Sequence, residues 1–265
     1  MDGRQPAALG FGEIRPLQGL KGKILRLYPP PARESSAIYD DLELPPAGRR
    51  NASRPYVIMN MVSSVDGRTV VEGKSSRIGS ETDRQTMRTL RSKSDAVMVG
   101  AGTLRAERLT LGLDDPTGVQ PLAVIATSSG DIPLEANLIA TGGQEVLVLA
   151  REDITVRSGE HRVLRLPADG AGNLDLGEAL EVLKAEHAVD LLLVEGGPRL
   201  NYALISQNLA DELFLTLAPK LVGGTPCESL AVLNGPVLAA RDINLLSAHL
   251  AGDELFLRYG LHQGD

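Results

Sequence analysis

Short apolar runs recur along the chain, and each stops at a small, hydroxyl or acidic residue. Residues 56–62 run into Ser63-Ser64-Val65-Asp66-Gly67, and residues 95–99 run into Gly100-Ala101-Gly102-Thr103. Residues 121–126 end at Thr127-Ser128-Ser129-Gly130, 145–150 and 163–166 follow, and 191–194 stop at Glu195-Gly196-Gly197-Pro198. Continuous apolar runs of this length suit strands covered on both faces, as in a parallel sheet. Between them the period lengthens. Ser80 with Asp83 resembles a capping box and predicts a helix over 80–92, with Met87 and Leu90 inward and Arg84, Arg88 and Arg91 on the exposed side. A short helix is expected over 103–107. Leu176, Ala179, Leu180 and Leu183 predict an amphipathic helix over 176–186. Pro198 suits a first helical position, with Leu200, Ala203 and Leu204 on one face behind it. Residues 211–217 read as a further strand, and 243–251 with 254–259 as a terminal hairpin. Strands alternating with helices, then strands alone, imply an α/β fold whose central sheet is mainly parallel with antiparallel strands at the C-terminus.

Residues 1–53 show neither period and hold seven of the sixteen prolines, including Pro29-Pro30-Pro31 and Pro45-Pro46. They are expected to be a proline-rich arm, disordered over 1–22. Leu25, Leu27, Tyr28, Ile38, Tyr39, Leu42 and Leu44 could pack on the body or on a second subunit. Residues 54–265 are expected to form one domain. Within it, the polar, glycine-spaced stretch 73–79 reads as a loop over a site.

Composition narrows the function. A hydrophobic content of 43% supports a large core, and a net charge of −7 argues against nucleic acid or an anionic membrane as partner. With 3% aromatics and no tryptophan, base-stacking platforms are poorly supplied. The single cysteine, Cys227, forms no internal disulfide and no multi-cysteine zinc site, which fits the cytoplasm. No run approaches the roughly 18 apolar residues of a membrane span. His161, His187, His249 and His262 are scattered and read as solvated surface residues, so no metal is expected.

The chemistry gathers at three strand ends, near Gly100, Thr127 and Glu195, because ligands of open α/β sheets bind at the carboxyl ends of strands. The glycines and Pro198 allow close backbone approach and an anion at a helix start. Neither a Gly-x-Gly-x-x-Gly fingerprint nor a P-loop is present. Asp66 and Glu195 stand beside glycine-rich turns, where a carboxylate either meets ligand or caps local amides.

Five ordered pieces carry a resemblance. They are residues 60–68, Arg84 with Leu90-Arg91, residues 95–103, residues 192–200, and Ala210-Asp211-Glu212-Leu213 through Ala218-Pro219 to Gly223-Gly224. Together they resemble the riboflavin-biosynthesis pyrimidine reductases. The resemblance implies a three-layer dihydrofolate-reductase-like fold, NADPH as hydride donor, a homodimer, and reduction of the ribosyl group of a phosphoribosylamino-pyrimidine to ribityl. It also implies roles. Ser64, Val71, Gly100, Gly102, Thr103, Glu107, Thr127, Ser128, Gly196, Gly197 and Pro198 would hold the cofactor, with Thr127 and Ser128 at its 2′-phosphate. Ser75, Arg84 and Glu195 would bind substrate, Arg84 at its phosphate, and Asp66 and Glu195 would stand at the reacting centre. The family often has lysine after Asp-Gly, tryptophan in the next loop, and Asp-Asp-Pro followed by an arginine. This chain has Arg68, Arg77 and Glu107-Arg108-Leu109, and no arginine in 110–117, leaving Arg105 or Arg108 as substitutes. The clustered cysteines and histidine-glutamate pair of a zinc deaminase do not occur in this sequence. Two alternatives remain: a same-fold reductase acting on dihydrofolate or another pteridine, and a catalytically silent NADPH-binding protein.

Overall fold

A computed structural model describes residues 22–46, 52–107, 110–115, 118–133, 143–157, 161–224 and 231–262. In chain order its elements are β1 (Ile24–Tyr28), β2 (Arg33–Ser35), β3 (Tyr56–Ser64), α1 (Glu81–Ser92), β4 (Ala96–Gly100), α2 (Ala101–Glu107), β5 (Leu122–Thr127) and β6 (Val146–Arg151). Then come β7 (Arg162–Leu166), α3 (Leu176–His187), β8 (Leu191–Val194), α4 (Pro198–Ser206), β9 (Glu212–Ala218), β10 (Asn244–Ala251) and β11 (Glu254–Gly260).

The eleven strands of the described residues form one sheet, in the order β2-β1-β10-β11-β9-β3-β8-β4-β5-β6-β7. From β9 to β7 every pairing is parallel, and from β2 to β9 every pairing is antiparallel. The apolar runs β4, β6 and β8 are almost wholly buried because helices lie on both sides of them. Leu90 of α1 and Ala101 and Leu104 of α2 pack with Ile58, Val97, Val99, Leu193 and Phe214 on one face. Leu180 and Leu183 of α3 and Leu200 and Leu204 of α4 pack with Val57, Met59, Met98 and Val194 on the other. This is the three-layer dihydrofolate-reductase-like architecture, with the antiparallel strands at one side.

The strand register is pinned by carboxylates. Asp95 accepts the amides of Asp190 and Leu191 at 2.9 and 2.8 Å, setting β8 beside β4. Asp211 accepts the Val57 amide at 2.7 Å and takes both arms of the Arg54 guanidinium, setting β9 beside β3. No described helix is long and apolar enough to cross a membrane.

Two expectations need correction. The arm does more than lie on the body: β1 and β2 extend the main sheet, with Ile24 opposite Ala251 and Leu25 opposite Leu250 of β10. β2 at the edge and β1 next to it are short and half exposed, with prolines between them, which hides the period that a central strand would display. Ile38 and Tyr39 are buried in the core, the Tyr39 ring edge-on to Phe214 at 5.0 Å. The expected disorder over 1–22 falls almost wholly outside the described residues. His249 is the second correction, being fully buried and edge-on to Tyr39, with neither ring nitrogen hydrogen-bonded. Burial holds its pKa below the usual histidine value. Asp40 and Asp41 lie near it, but Arg33 engages both and Arg26 engages Asp41, so a cation there would meet two guanidinium groups.

Candidate functional site

Because β4 and β8 are neighbours, the two glycine turns lie against each other. The Glu195 amide donates to the Met98 carbonyl at 2.9 Å, and the Gly100 amide donates to the Gly196 carbonyl at 2.8 Å. Gly196 has φ +90°, a conformation that side chains disfavour, and the Gly196–Gly197 peptide is cis. A Cβ on Gly197 would stand 2.6 Å from Thr103 Oγ1, so this glycine is what lets α2 and α4 begin side by side. Gly197 caps α4 through backbone alone, with Pro198 at the first turn. Gly102 is exposed, and a Cβ there would meet only Arg105 Nη2 at 3.8 Å. Unsubstituted backbone facing open space beside an uncapped helix start is compatible with the pyrophosphate of a dinucleotide.

Not every expected ligand group is free to serve. Thr127 is buried, and its hydroxyl accepts the Gly130 amide at 3.1 Å, closing the turn after β5. Gly130 is required there, since its φ is +74° and a Cβ would fall 2.1 Å from the Thr155 carbonyl. Ser128 is exposed at the same strand end. The Ser64 hydroxyl donates to Asp66 at 2.6 Å and accepts the Arg68 amide at 2.9 Å. Val71 and Lys74 form a small antiparallel bridge in the loop after β3. Glu107, at the end of α2, accepts the Ser75 amide at 3.1 Å and its hydroxyl at 2.7 Å. Two residues expected on opposite ligands therefore hold one another and tie the 73–79 loop to α2. Lys220 anchors the loop from below through the carbonyls of Arg77 and Ile78.

Asp66 takes the amide-capping alternative. Besides Ser64, it accepts the amides of Val222 and Gly223 at 3.1 and 2.7 Å, joining the β3 turn to the loop after β9. The Ser64 hydroxyl and those two amides hold its carboxyl down at about 2, so it stays ionised and has no proton to give near neutrality.

Glu195 is engaged as well, by a residue expected on the surface. Arg91 is 4% exposed and forks both oxygens of Glu195, at 2.7 and 2.6 Å, while donating to the Gly112 carbonyl. The buried stripe of α1 runs through Thr86, Leu90 and Arg91, so Arg91 shares the inward face anticipated for Met87 and Leu90. Arg84 remains on the outside, its Nε 2.9 Å from Glu81, as Arg88 is 3.0 Å from the same carboxylate.

The capping box is also rearranged. The Ser80 hydroxyl accepts the amides of Thr82 and Asp83 as expected, but Glu254 of β11 takes the Ser80 amide and hydroxyl in place of Asp83. Asp83 turns inward instead, where the Thr216 hydroxyl of β9 bonds to it. Burial first, then the charges of Glu254 and Glu195, push its carboxyl up to about 6 against the pull of Thr216 and Arg84. Sequence reading missed Asp83 because its position three after Ser80 already had an explanation. The available signal was its spacing of seven from Leu90, which puts both on one helical face.

Comparison with known proteins identifies the family and the fold. Residues 55–249 match the family described as the RibD C-terminal domain. The 2,5-diamino-6-ribosylamino-4(3H)-pyrimidinone 5′-phosphate reductase of Methanothermobacter thermautotrophicus is 30% identical over 212 residues, covering 78% of this chain and 98% of that one. The reductase of the same name from Archaeoglobus fulgidus is 34% identical over 184 residues, covering 64% of this chain and 83% of that one. The solved structure of Acinetobacter baumannii RibD superimposes with a TM-score of 0.66 at 25% identity, covering 80% of this chain and 59% of that one. From its paired glycine turns to its antiparallel flank, the chain belongs to the RibD C-terminal domain family of pyrimidine reductases.

Proposed function

We propose that the protein reduces the ribosyl group of a phosphoribosylamino-pyrimidine to ribityl, with NADPH as cofactor and in the cytoplasm. The observation that carries this reading is the hydrogen-bonded pair of glycine turns, Gly100 to Gly196, at the carboxyl ends of two adjacent parallel strands. Gly100, Gly102, Thr103, Gly196, Gly197 and Pro198 would hold the pyrophosphate side. Ser64, Val71 and Glu107 would border the remainder, and exposed Ser128 would lie at the 2′-phosphate, on the turn that Thr127 closes. NADPH, when bound, supplies a hydride. The chain's own groups align the partners: the loop over 73–79, fixed by Glu107 and Lys220, shields the centre from water, and Ser75 lines it. Glu195, oriented by Arg91, and Asp66, fixed by the Val222 and Gly223 amides, would offer carboxylate acceptors to the sugar hydroxyls. Arg84 meets the substrate phosphate from the outer face of α1.

The deciding experiment follows NADPH oxidation by purified protein with the pyrimidine ribosyl phosphate and, separately, with dihydrofolate. Turnover with the first alone is expected. Turnover only with dihydrofolate overturns the reading, and tight NADPH binding without turnover of either makes the protein a silent module.

Arg84→Ala tests the phosphate assignment, because a guanidinium bound to phosphate contributes through charge-assisted hydrogen bonds. The substrate KM is expected to rise by about tenfold or more while the NADPH KM changes by less than about twofold. Equal effects on the two would return Arg84 to the solvated surface.

A second copy of the chain is the proposed partner. The register lines up Leu25, Leu250, Leu255 and Leu217 across four antiparallel strands, all half-buried. An apolar strip of this kind is a subunit-contact candidate. Sedimentation equilibrium is expected to give twice the chain mass, and Leu250→Glu to give the single mass; a monomeric wild type refutes the contact.

A further inference from the structure

The amine formed in the proposed reduction needs a proton, and the carboxylates around the α1 face can be taken in turn as its source. Asp66 is held ionised by three donors. Both Glu195 oxygens are forked by Arg91, and both Glu254 oxygens hold Ser80. Lys220 is committed to two loop carbonyls. Asp83 is left. It projects from the first turn of α1 onto Thr216 of β9, whose backbone partner in β3 is Val62, two residues before the turn at Ser64. Gly79 packs against it: a Cβ there would stand 2.1 Å from Asp83 Oδ2, so the carboxyl lies on the bare backbone that ends the 73–79 loop.

We propose that Asp83 is the proton donor of the reduction, a catalytic residue whose carboxyl gives its proton to the nitrogen on ribose C1′. The assignment rests on the reaction proposed above. When the ribosylamine opens, C1′ and the nitrogen share a double bond. Hydride adds to C1′, the second C1′–N bond becomes the nitrogen lone pair, and that pair takes the Asp83 proton. The carboxylate left behind is reprotonated from solvent, so each turnover consumes one NADPH and one proton.

The electrostatics support the geometry. The groups facing Asp83 are Glu254 from β11, Glu195 from β8 with its partner Arg91, Thr216 from β9, Tyr39 from the segment after β2, and Arg84 from its own helix. Two negative charges and burial outweigh Arg84 and the Thr216 bond, which keeps a proton on Asp83 to about pH 6. Pairs of carboxyls whose surroundings separate their pKa values mark acid and base roles.

The test uses the full chain and compares wild type with Asp83→Asn and Asp83→Glu. Asp83→Asn is expected to lose about 10² to 10³ in kcat/KM while its NADPH Kd stays within about twofold. The wild-type kcat/KM should fall with rising pH through the Asp83 titration, since the acid must carry its proton, and the asparagine variant should lack that limb. Asp83→Glu should recover part of the rate together with the limb. A readout free of turnover is carboxyl NMR of the unliganded protein, where a resonance titrating near 6 should vanish in Asp83→Asn. Should the asparagine variant fail to fold, as judged by circular dichroism, the glutamate variant and the wild-type titration decide. Equal turnover and an unchanged pH limb in the variants overturn this assignment alone, as does an Asp83 that titrates near an ordinary carboxyl. A wild type that binds NADPH but never turns over the pyrimidine overturns the underlying reaction, and this assignment with it.

Discussion

Arg91→Ala is expected to lower folding stability by about 3–5 kcal/mol, the usual loss when one partner of a buried ion pair is removed. The guanidinium and the Glu195 carboxylate have side-chain exposures of 5% and 8%, so neither is screened by water. Alanine strands the buried Glu195 carboxyl without its partner and frees the Gly112 carbonyl that Arg91 also satisfies. In a domain of this size the loss corresponds to a fall of about 6–20 °C in Tm. Urea unfolding of wild type, Arg91→Ala, Glu195→Gln and the double variant closes the cycle. The double variant should regain part of the loss, because removing both charges removes the stranded one. A single-variant loss below about 1 kcal/mol would mean that Glu195 finds other partners, and the pair would not fix the substrate side of the turn.

Gly102→Val carries the second large effect, on ligand binding with no accompanying loss of fold. Among the described residues nothing opposes a side chain at Gly102, where the nearest atom to a Cβ is Arg105 Nη2 at 3.8 Å. A loss of affinity would therefore report the ligand itself. With a pyrophosphate against this backbone, two added methyls displace it, and NADPH affinity should fall by about tenfold to a hundredfold, or about 1.4–2.7 kcal/mol. The same substitution at Gly197 would be ambiguous, since Thr103 Oγ1 already occupies the space. Fluorescence titration with NADPH and a melting curve provide both readouts. Undiminished affinity takes the α2 start out of the cofactor site.

The parallel half was legible because central strands bury both faces and so appear as unbroken apolar runs. β3, β4, β8 and β9 fall within a residue or two of the stretches that predicted them. α1, α3 and α4 follow from Ser80, the Leu176 to Leu183 spacing and Pro198 in the same way. β1 and β2 were not legible, since short, half-exposed strands at the margin of a sheet have no buried period to display. The site was half legible for a different reason. Glycine turns announce themselves through residue type alone, and adjacent turns follow from adjacent strands. A carboxylate does not announce its partner: Asp66 chose amides 156 and 157 residues away, and Glu195 chose an arginine 104 residues away. Only three-dimensional neighbours decide whether such a group caps, pairs or holds a proton.

The strand order also sets a schedule for synthesis. β4 through β7 are contiguous in the sequence and pair with one another, so they can assemble as they leave the ribosome. β3 cannot, because both of its neighbours, β8 and β9, emerge more than a hundred residues later. β1 waits longest, since the strand that joins it to the sheet is β10, near the far end of the chain. The earliest apolar strands are thus the last to be sheltered, and closure of the sheet depends on distant contacts that form slowly. A nascent chain stalled before the final hairpin would display β1 and one bare side of β9, which makes this interval the protein's period of greatest exposure to aggregation and to chaperones.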